Sequence, residues 1–149
     1  MTSGDDRRVL VVDDDAEVRR LLGHVLRSRN ITVDEAADGR EAIALLSEQR
    51  YSVVLLDLLL PNVNGFEVLE HFGDGNASAI VLVITGADRR AIEQLDARRI
   101  HGIVRKPFDA EEIANVVASC AEIRGKSMFE AMAMAMIAGT PLLALLNRW

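Results

Sequence analysis

Apolar positions along the chain fall into two kinds of segment that alternate. Five short runs, Val9–Val12, Ile31–Val33, Val53–Leu56, Ile80–Ile84 and Ile103–Val104, are rich in Val, Ile and Leu. Runs of this kind suit parallel strands buried on both faces. The second and fifth are the shortest, as edge strands often are. The segments between and after them carry helical spacing instead. Val18, Leu21, Leu22, Val25 and Leu26 fall on one helix face, and Ala42, Leu45 and Leu46 repeat the pattern. Val68, Leu69 and Phe72 mark a third helix, Ile92 and Leu95 a weaker fourth, and Ile113, Val116, Val117 and Cys120 a clear fifth. Asp38-Gly39, Asn64-Gly65 and Lys106-Pro107 punctuate as turns and loops. Asp15 and Asp109 are placed to cap the first and fifth helices. Strand followed by helix, five times over, predicts an open, doubly wound α/β sheet with helices on both faces.

Sites in such sheets gather at the carboxyl ends of the strands, so the polar residues there carry the functional question. The first run ends in Asp13, Asp14 and Asp15, the third at Asp57, the fourth at Thr85, and the fifth at Lys106 just after Arg105. Asp57 stands out because it lies inside "VVLLDLLLPNVNG", Val53–Gly65, and an unpaired charge in an apolar setting is costly. Clustered carboxylates raise one another's proton affinity unless a cation lies between them. A hard divalent cation answers that need, and Mg²⁺ suits a site with one or two carboxylates and a phosphate oxygen. With Lys106 as a second positive charge, Thr85 as a hydroxyl and an aspartate as nucleophile, the set can accept a phosphoryl group.

Charge and composition narrow the alternatives. The 149 residues carry a formal net charge of −6, which suits cation binding and argues against nucleic acid as the main ligand. Lysine is scarce, with only Lys106 and Lys126, so its presence at a strand end is informative. The single cysteine, Cys120, reads as a small core residue. His24, His71 and His101 share no metal-ligand spacing, and there is no Walker or dinucleotide fingerprint. The start "MTSGDDRRVL" lacks an apolar signal segment, so the expected location is cytoplasmic. Residues 124–149 differ from the rest: Ala131–Leu146 holds no charge, and Met128, Met132, Met134 and Met136 cluster there. Ser127–Ala138 should be helical and Gly139-Thr140-Pro141 should end or kink it. The uncharged stretch falls short of the ~20 residues a membrane span needs. Its expected role is contact with a second subunit or with the preceding domain.

In these motifs the chain resembles the receiver domain of two-component response regulators. "LVVDDD" matches the acidic pair of the first strand, with Asp13 and Asp14 at the two positions. "VVLLDLLLPNVNG" matches the phosphoacceptor strand and loop, with Asp57, Pro61 and Gly65 in register. Thr85 matches the switch hydroxyl, and "KPF", Lys106–Phe108, matches the lysine–proline loop with Pro107. The resemblance covers roughly residues 8 to 123. It implies a flavodoxin-like sheet in the order 2-1-3-4-5, flanked by five helices, with a lead-in at 1–8, the receiver at 9–123 and an apolar helical tail at 124–149. It implies that Asp57 takes a phosphoryl group from a histidine kinase or histidine phosphotransfer protein. Asp13, Asp14, Asp57 and the Leu59 backbone carbonyl would hold Mg²⁺, and Thr85 and Lys106 would bind the phosphoryl group. Signalling would run through contacts with a downstream protein, without enzymatic turnover of a separate substrate. A homodimer through the tail or the helix 4–strand 5–helix 5 face is a further expectation. One position departs from the pattern: Ile103 stands where the family usually has the aromatic residue that moves with the threonine. A pseudo-receiver that acts as a phosphorylation-independent interaction module is the alternative expectation. An aspartate-nucleophile phosphatase is not, because Leu59 replaces the acid/base aspartate such enzymes need.

Overall fold

The structure is a computed structural model and describes residues 7–122. The elements follow the predicted alternation: β1 (Arg8–Val12), α1 (Ala16–Arg27), β2 (Thr32–Ala36), α2 (Gly39–Glu48), β3 (Val53–Leu56), α3 (Gly65–Glu70), β4 (Ile80–Thr85), α4 (Arg89–Glu93), β5 (Gly102–Arg105) and α5 (Ala110–Glu122). The strands form one sheet in the order β2-β1-β3-β4-β5, and every pairing is parallel. The tail at 124–149 lies outside the described residues.

Strand alternation divides the core between the two faces of the sheet. Val9, Val11, Val53, Leu55, Leu82, Ile84 and Val104 pack with Leu22, Val25 and Leu26 of α1 and Ile113, Val116, Val117 and Cys120 of α5. Leu10, Val12, Val54, Leu56 and Val81 pack on the other face with Ala42 and Leu46 of α2 and Val68 and Leu69 of α3. Burying each of the Val, Leu and Ile side chains among them stabilises by about 1.5–3 kcal/mol. A smaller cluster of Leu58, Val83, Ala87 and Ile92 lies beneath α4, with Ile103 packed against it.

The helices begin where polar caps are placed. Asp15, Asp38, Asn64 and Asp88 accept backbone N–H bonds from Glu17, Glu41, Glu67 and Ala91. Asp109 accepts from the N–H groups of Glu111 and Glu112. Each cap satisfies donors that the first turn leaves open, worth about 1 kcal/mol.

Several sequence-based boundaries need correction. The second strand starts at Thr32 and continues through Asp34, Glu35 and Ala36, past the apolar run that ended at Val33. As an edge strand it keeps part of its width toward solvent, so polar residues fit there. Asp34 accepts bonds from Arg8 at 3.1 Å and from the Tyr51 hydroxyl at 2.7 Å. Leu21 is 49% exposed, at the border of the α1 apolar stripe rather than inside it. α3 stops at Glu70, so Phe72 packs from the following turn, and α4 is only five residues long, so Leu95 lies beyond it.

Candidate functional site

The ladder itself brings the acidic residues together. Val12 of β1 pairs with Leu56 of β3, and the ladder extends one step as the Asp57 N–H donates to the Val12 carbonyl at 3.0 Å. Asp13 and Asp57 therefore leave adjacent strands side by side. Both share the side-chain parity of Val11 and Leu55, and Lys106 shares that of Val104, so all three turn to the α1/α5 face. Thr85 follows the parity of Val83 and belongs to the opposite face.

Asp13 and Asp57 are buried, at 2% and 3% exposure, while Asp14 is exposed. The Lys106 ammonium bridges the buried pair, with Nζ 2.7 Å from Asp13 Oδ2 and 2.9 Å from Asp57 Oδ2. The second oxygen of each carboxylate is held by backbone. Asp13 Oδ1 accepts from the Asp15 N–H at 2.9 Å, and Asp57 Oδ1 accepts from the Leu59 N–H at 3.0 Å. One ammonium thus serves two buried carboxylates, with a third carboxylate beside them.

The charges do not balance, and protonation energetics show it. Burial raises the Asp13 carboxyl above its ordinary range; the Lys106 bond and the Asp15 N–H oppose this, and the Asp57 charge adds to it. For Lys106, burial alone would favour the neutral amine. Its bonds to Asp13 and Asp57 outweigh that and raise it above the usual lysine value. The two shifts differ because the Asp13 side chain is 3% exposed and the Lys106 side chain 26%. The shared bond overcompensates the ammonium's loss of water and undercompensates the carboxylate's.

A surplus of buried negative charge is what a divalent cation would answer. One carboxylate oxygen from each of Asp13, Asp14 and Asp57 lies within 4.8 Å of the others, and hard oxygen donors of this kind fit Mg²⁺. Thr85 is fully buried, and its hydroxyl oxygen accepts from the Ala87 N–H at 3.1 Å. The Lys106 N–H donates to the Thr85 carbonyl at 3.0 Å, which ties the lysine's backbone to the threonine's.

The loop positions have steric reasons. A Cβ on Gly65 would lie 2.5 Å from the Asp57 carbonyl oxygen and 2.7 Å from Leu58 Cα. Only glycine allows α3 to start against the backbone of Asp57. Pro61 is exposed, and Asn62 takes a left-handed conformation with φ 67°. Pro107 follows a cis peptide bond from Lys106. Ile103 is half-buried.

The response regulator receiver domain family matches residues 9–118 of this chain. The chain belongs to that family. Receiver domains are signalling phosphoacceptors of two-component systems, and the acidic trio with Lys106 is consistent with that role. Two curated relatives are similar along the receiver portion. The transcriptional regulatory protein ResD of Bacillus subtilis is 36% identical over 114 residues, covering 76% of this chain and 47% of that one. The transcriptional regulatory protein SrrA of Staphylococcus aureus is 32% identical over 106 residues, covering 70% and 44%. The matched region thus spans about half the length of these relatives. Among solved structures, the response regulator TrrA of Thermotoga maritima, in complex with Mg(2+)-BeF, is 27% identical with a TM-score of 0.67, covering 76% of this chain and 98% of that one. The chemotaxis response regulator CheY4 of Vibrio cholerae is 28% identical with a TM-score of 0.68, covering 76% and 97%.

Two arginines that the sequence pattern did not single out hold the loops beside this site from outside it. Arg19 donates to the Asp13 carbonyl at 2.6 Å and lies 3.7 Å from Glu35, bracing the acidic loop from α1. Its signal was position alone: it sits one turn after the Asp15 cap, off the apolar stripe. Arg105 donates to the Ala87 carbonyl at 3.3 Å. Among the described residues no helix is long and apolar enough to cross a membrane.

Proposed function

We propose that Asp57 accepts a phosphoryl group from a histidine kinase or histidine phosphotransfer protein in a Mg²⁺-dependent reaction. The phosphorylated form then signals through contacts with a downstream protein. The observation that carries this reading is the shared lysine: one ammonium between the buried Asp13 and Asp57 carboxylates, at a strand end beside Asp14.

In the reaction an Asp57 carboxylate oxygen attacks phosphorus. The P–N bond of the donor phosphohistidine breaks, its electron pair returns to the imidazole nitrogen, and an acyl phosphate forms. Asp13, Asp14, Asp57 and the Leu59 carbonyl would hold Mg²⁺, which when bound would supply positive charge against the phosphoryl oxygens. The Leu59 N–H fixes the plane of the Asp57 carboxylate through Oδ1. As negative charge passes from the carboxylate to the phosphoryl oxygens, Lys106 keeps its bond to Asp13 and turns from Asp57 to the new group. Thr85 supplies a hydroxyl donor from the opposite face.

The receiver unit is proposed to run from 9 to 123, after a lead-in at 1–8. The family match to residues 9–118 supports the receiver part of this reading. Residues 124–149 are proposed as a contact segment, for a second copy of the chain or for the receiver itself, on the strength of their uncharged Met-rich pattern. A protein rather than nucleic-acid target is proposed on the acidic net charge, and a cytoplasmic location is part of the same proposal. Incubation with acetyl phosphate and Mg²⁺, followed by intact-mass measurement, tests the central step. A phosphoryl-sized gain in the wild type and none in Asp57→Asn is expected. No gain in either protein, with no Mg²⁺ binding, would move the assignment to a phosphorylation-independent interaction module.

A further inference from the structure

Phosphorylation signals only if something at the surface changes with it. The described contacts lead from the buried Thr85 hydroxyl to an exposed guanidinium in two steps. The Thr85 oxygen accepts from the Ala87 N–H at 3.1 Å, and the Ala87 carbonyl accepts from Arg105 Nη2 at 3.3 Å. Both bonds fall on one residue. Arg105 is also the register partner of Thr85 across β4 and β5. The two side chains therefore hold the same loop from opposite ends, one buried and one exposed.

We propose that Arg105 reports the phosphorylation state of Asp57 at the protein surface by holding or releasing the Ala87 carbonyl. This rests on the reading of Asp57 as phosphoacceptor and adds how its state leaves the site.

Three observations carry it. First, the Thr85 proton has no protein acceptor among the described residues, although the group is fully buried. A phosphoryl group brings strong acceptor oxygens, so this hydroxyl is ready to donate once one arrives. A χ1 rotation that carries the oxygen toward the phosphoryl group lengthens its bond from the Ala87 N–H. Second, the loop has room to respond. Gly86 is exposed, and a Cβ built on it would meet nothing within 4 Å. Ala87 itself is 3% exposed, set on Leu58, Val83 and Ile92, so any change of its peptide is passed to its carbonyl rather than lost in solvent. Third, the neighbouring position is already occupied by apolar packing. Ile103 shares the face of Arg105, two residues earlier, and fills the Ala87 cluster with a side chain that has no polar group to exchange. At 3.3 Å the Arg105 bond sits at the long end of the hydrogen-bond range, so a small displacement decides whether it persists. Its loss or retention changes how that charged group is held at the surface.

The test uses the full chain with acetyl phosphate and Mg²⁺, and reads three quantities on the same sample. Intact mass gives the extent of phosphorylation. The Arg105 Nε–H resonance and hydrogen exchange at the Ala87 N–H report the contact. Phosphorylation is expected to shift the Arg105 resonance and speed exchange at Ala87. In Arg105→Gln, exchange at Ala87 is expected to be fast before phosphorylation and to change little after it, with the mass gain and urea midpoint kept. Arg105→Lys, which restores a cationic donor, should recover part of the wild-type difference; a merely structural surface residue would not show this pattern. A full mass gain with an unmoved Arg105 resonance overturns this proposal and leaves the phosphoacceptor reading intact. Absence of the mass gain overturns both.

Discussion

Replacing Asp13 by asparagine should stabilise the metal-free protein and remove its response to Mg²⁺. The charges set the sign. Carboxylate oxygens of Asp13, Asp14 and Asp57 lie within 4.8 Å of one another. At an effective dielectric of ~20, each such pair repels by at least about 3 kcal/mol. The Lys106 contact at 2.7 Å attracts Asp13 by about 6 kcal/mol on the same scale. That attraction must also offset the loss of hydration of a carboxylate that is 2% exposed, which amounts to several kcal/mol. The raised Asp13 carboxyl shows that the offset is incomplete. Asparagine keeps an acceptor for the Asp15 N–H, removes the charge and leaves Lys106 to Asp57 alone. A gain on the order of 1 kcal/mol follows, or about 3 °C in Tm for a chain of this size.

The pH dependence of that gain is fixed by the sign of the shift. A carboxyl raised in the folded state favours folding below the unfolded value of 3.8 and loses that contribution as pH rises through its folded value. The advantage of Asp13→Asn is therefore full at neutral pH and shrinks toward pH 4. Magnesium should reverse the ranking. A ligand at a hundred times its Kd stabilises by about 2.7 kcal/mol, and only the wild type keeps the full carboxylate set. Urea unfolding with and without Mg²⁺ measures both effects. An Asp13→Asn protein less stable than wild type in metal-free buffer would refute the claim that surplus buried charge destabilises the empty site.

Three other outcomes are expected. Lys106→Met should still bind Mg²⁺ but lower the rate of phosphorylation by acetyl phosphate by roughly 10²–10³, the usual loss for one charge-stabilising donor; an unchanged rate would remove Lys106 from the chemistry. Gly65→Ala should destabilise by about 1–3 kcal/mol, since its Cβ would meet the backbone of Asp57 and Leu58 at 2.5 and 2.7 Å, and an unaltered urea midpoint would contradict the steric reading. His101 accepts the Val81 N–H on Nδ1 at 3.0 Å, and burial lowers its pKa below 6.5. The neutral ring is the folded form, so stability should hold above pH 6.5 and fall below it by up to about 1.4 kcal/mol per pH unit; His101→Asn should flatten that limb, and an equal slope in the variant would refute the assignment.

The fold and most of the site were legible because their causes are local in sequence. Continuous Val, Ile and Leu runs marked the three central strands, and each acidic, hydroxyl or ammonium group followed its run directly. Parallel pairing then did the assembly: the Val12–Leu56 register brings Asp13 beside Asp57, and shared parity turns Lys106 toward them. What escaped the sequence depends on neighbours that periodicity does not encode. β2 extends over Asp34 and Glu35 because Arg8, Tyr51 and Arg27 meet them from other elements. Leu21 matched the helical pattern yet is half exposed, since the sheet covers a narrower stripe of α1 than the spacing allowed. Arg19 and Arg105 act through backbone carbonyls, at Asp13 and Ala87, and a target of that kind leaves no residue-type signature to read.

The central claim is that a covalent phosphoryl group forms on Asp57. Borohydride reduction after exposure to acetyl phosphate and Mg²⁺ tests it most directly, because an acyl phosphate is reduced to the alcohol and the peptide mass locates it. Reduction product is expected at position 57 only, and none when Mg²⁺ is chelated. Product at Asp13 or Asp14, or none at any aspartate despite bound Mg²⁺, would contradict it.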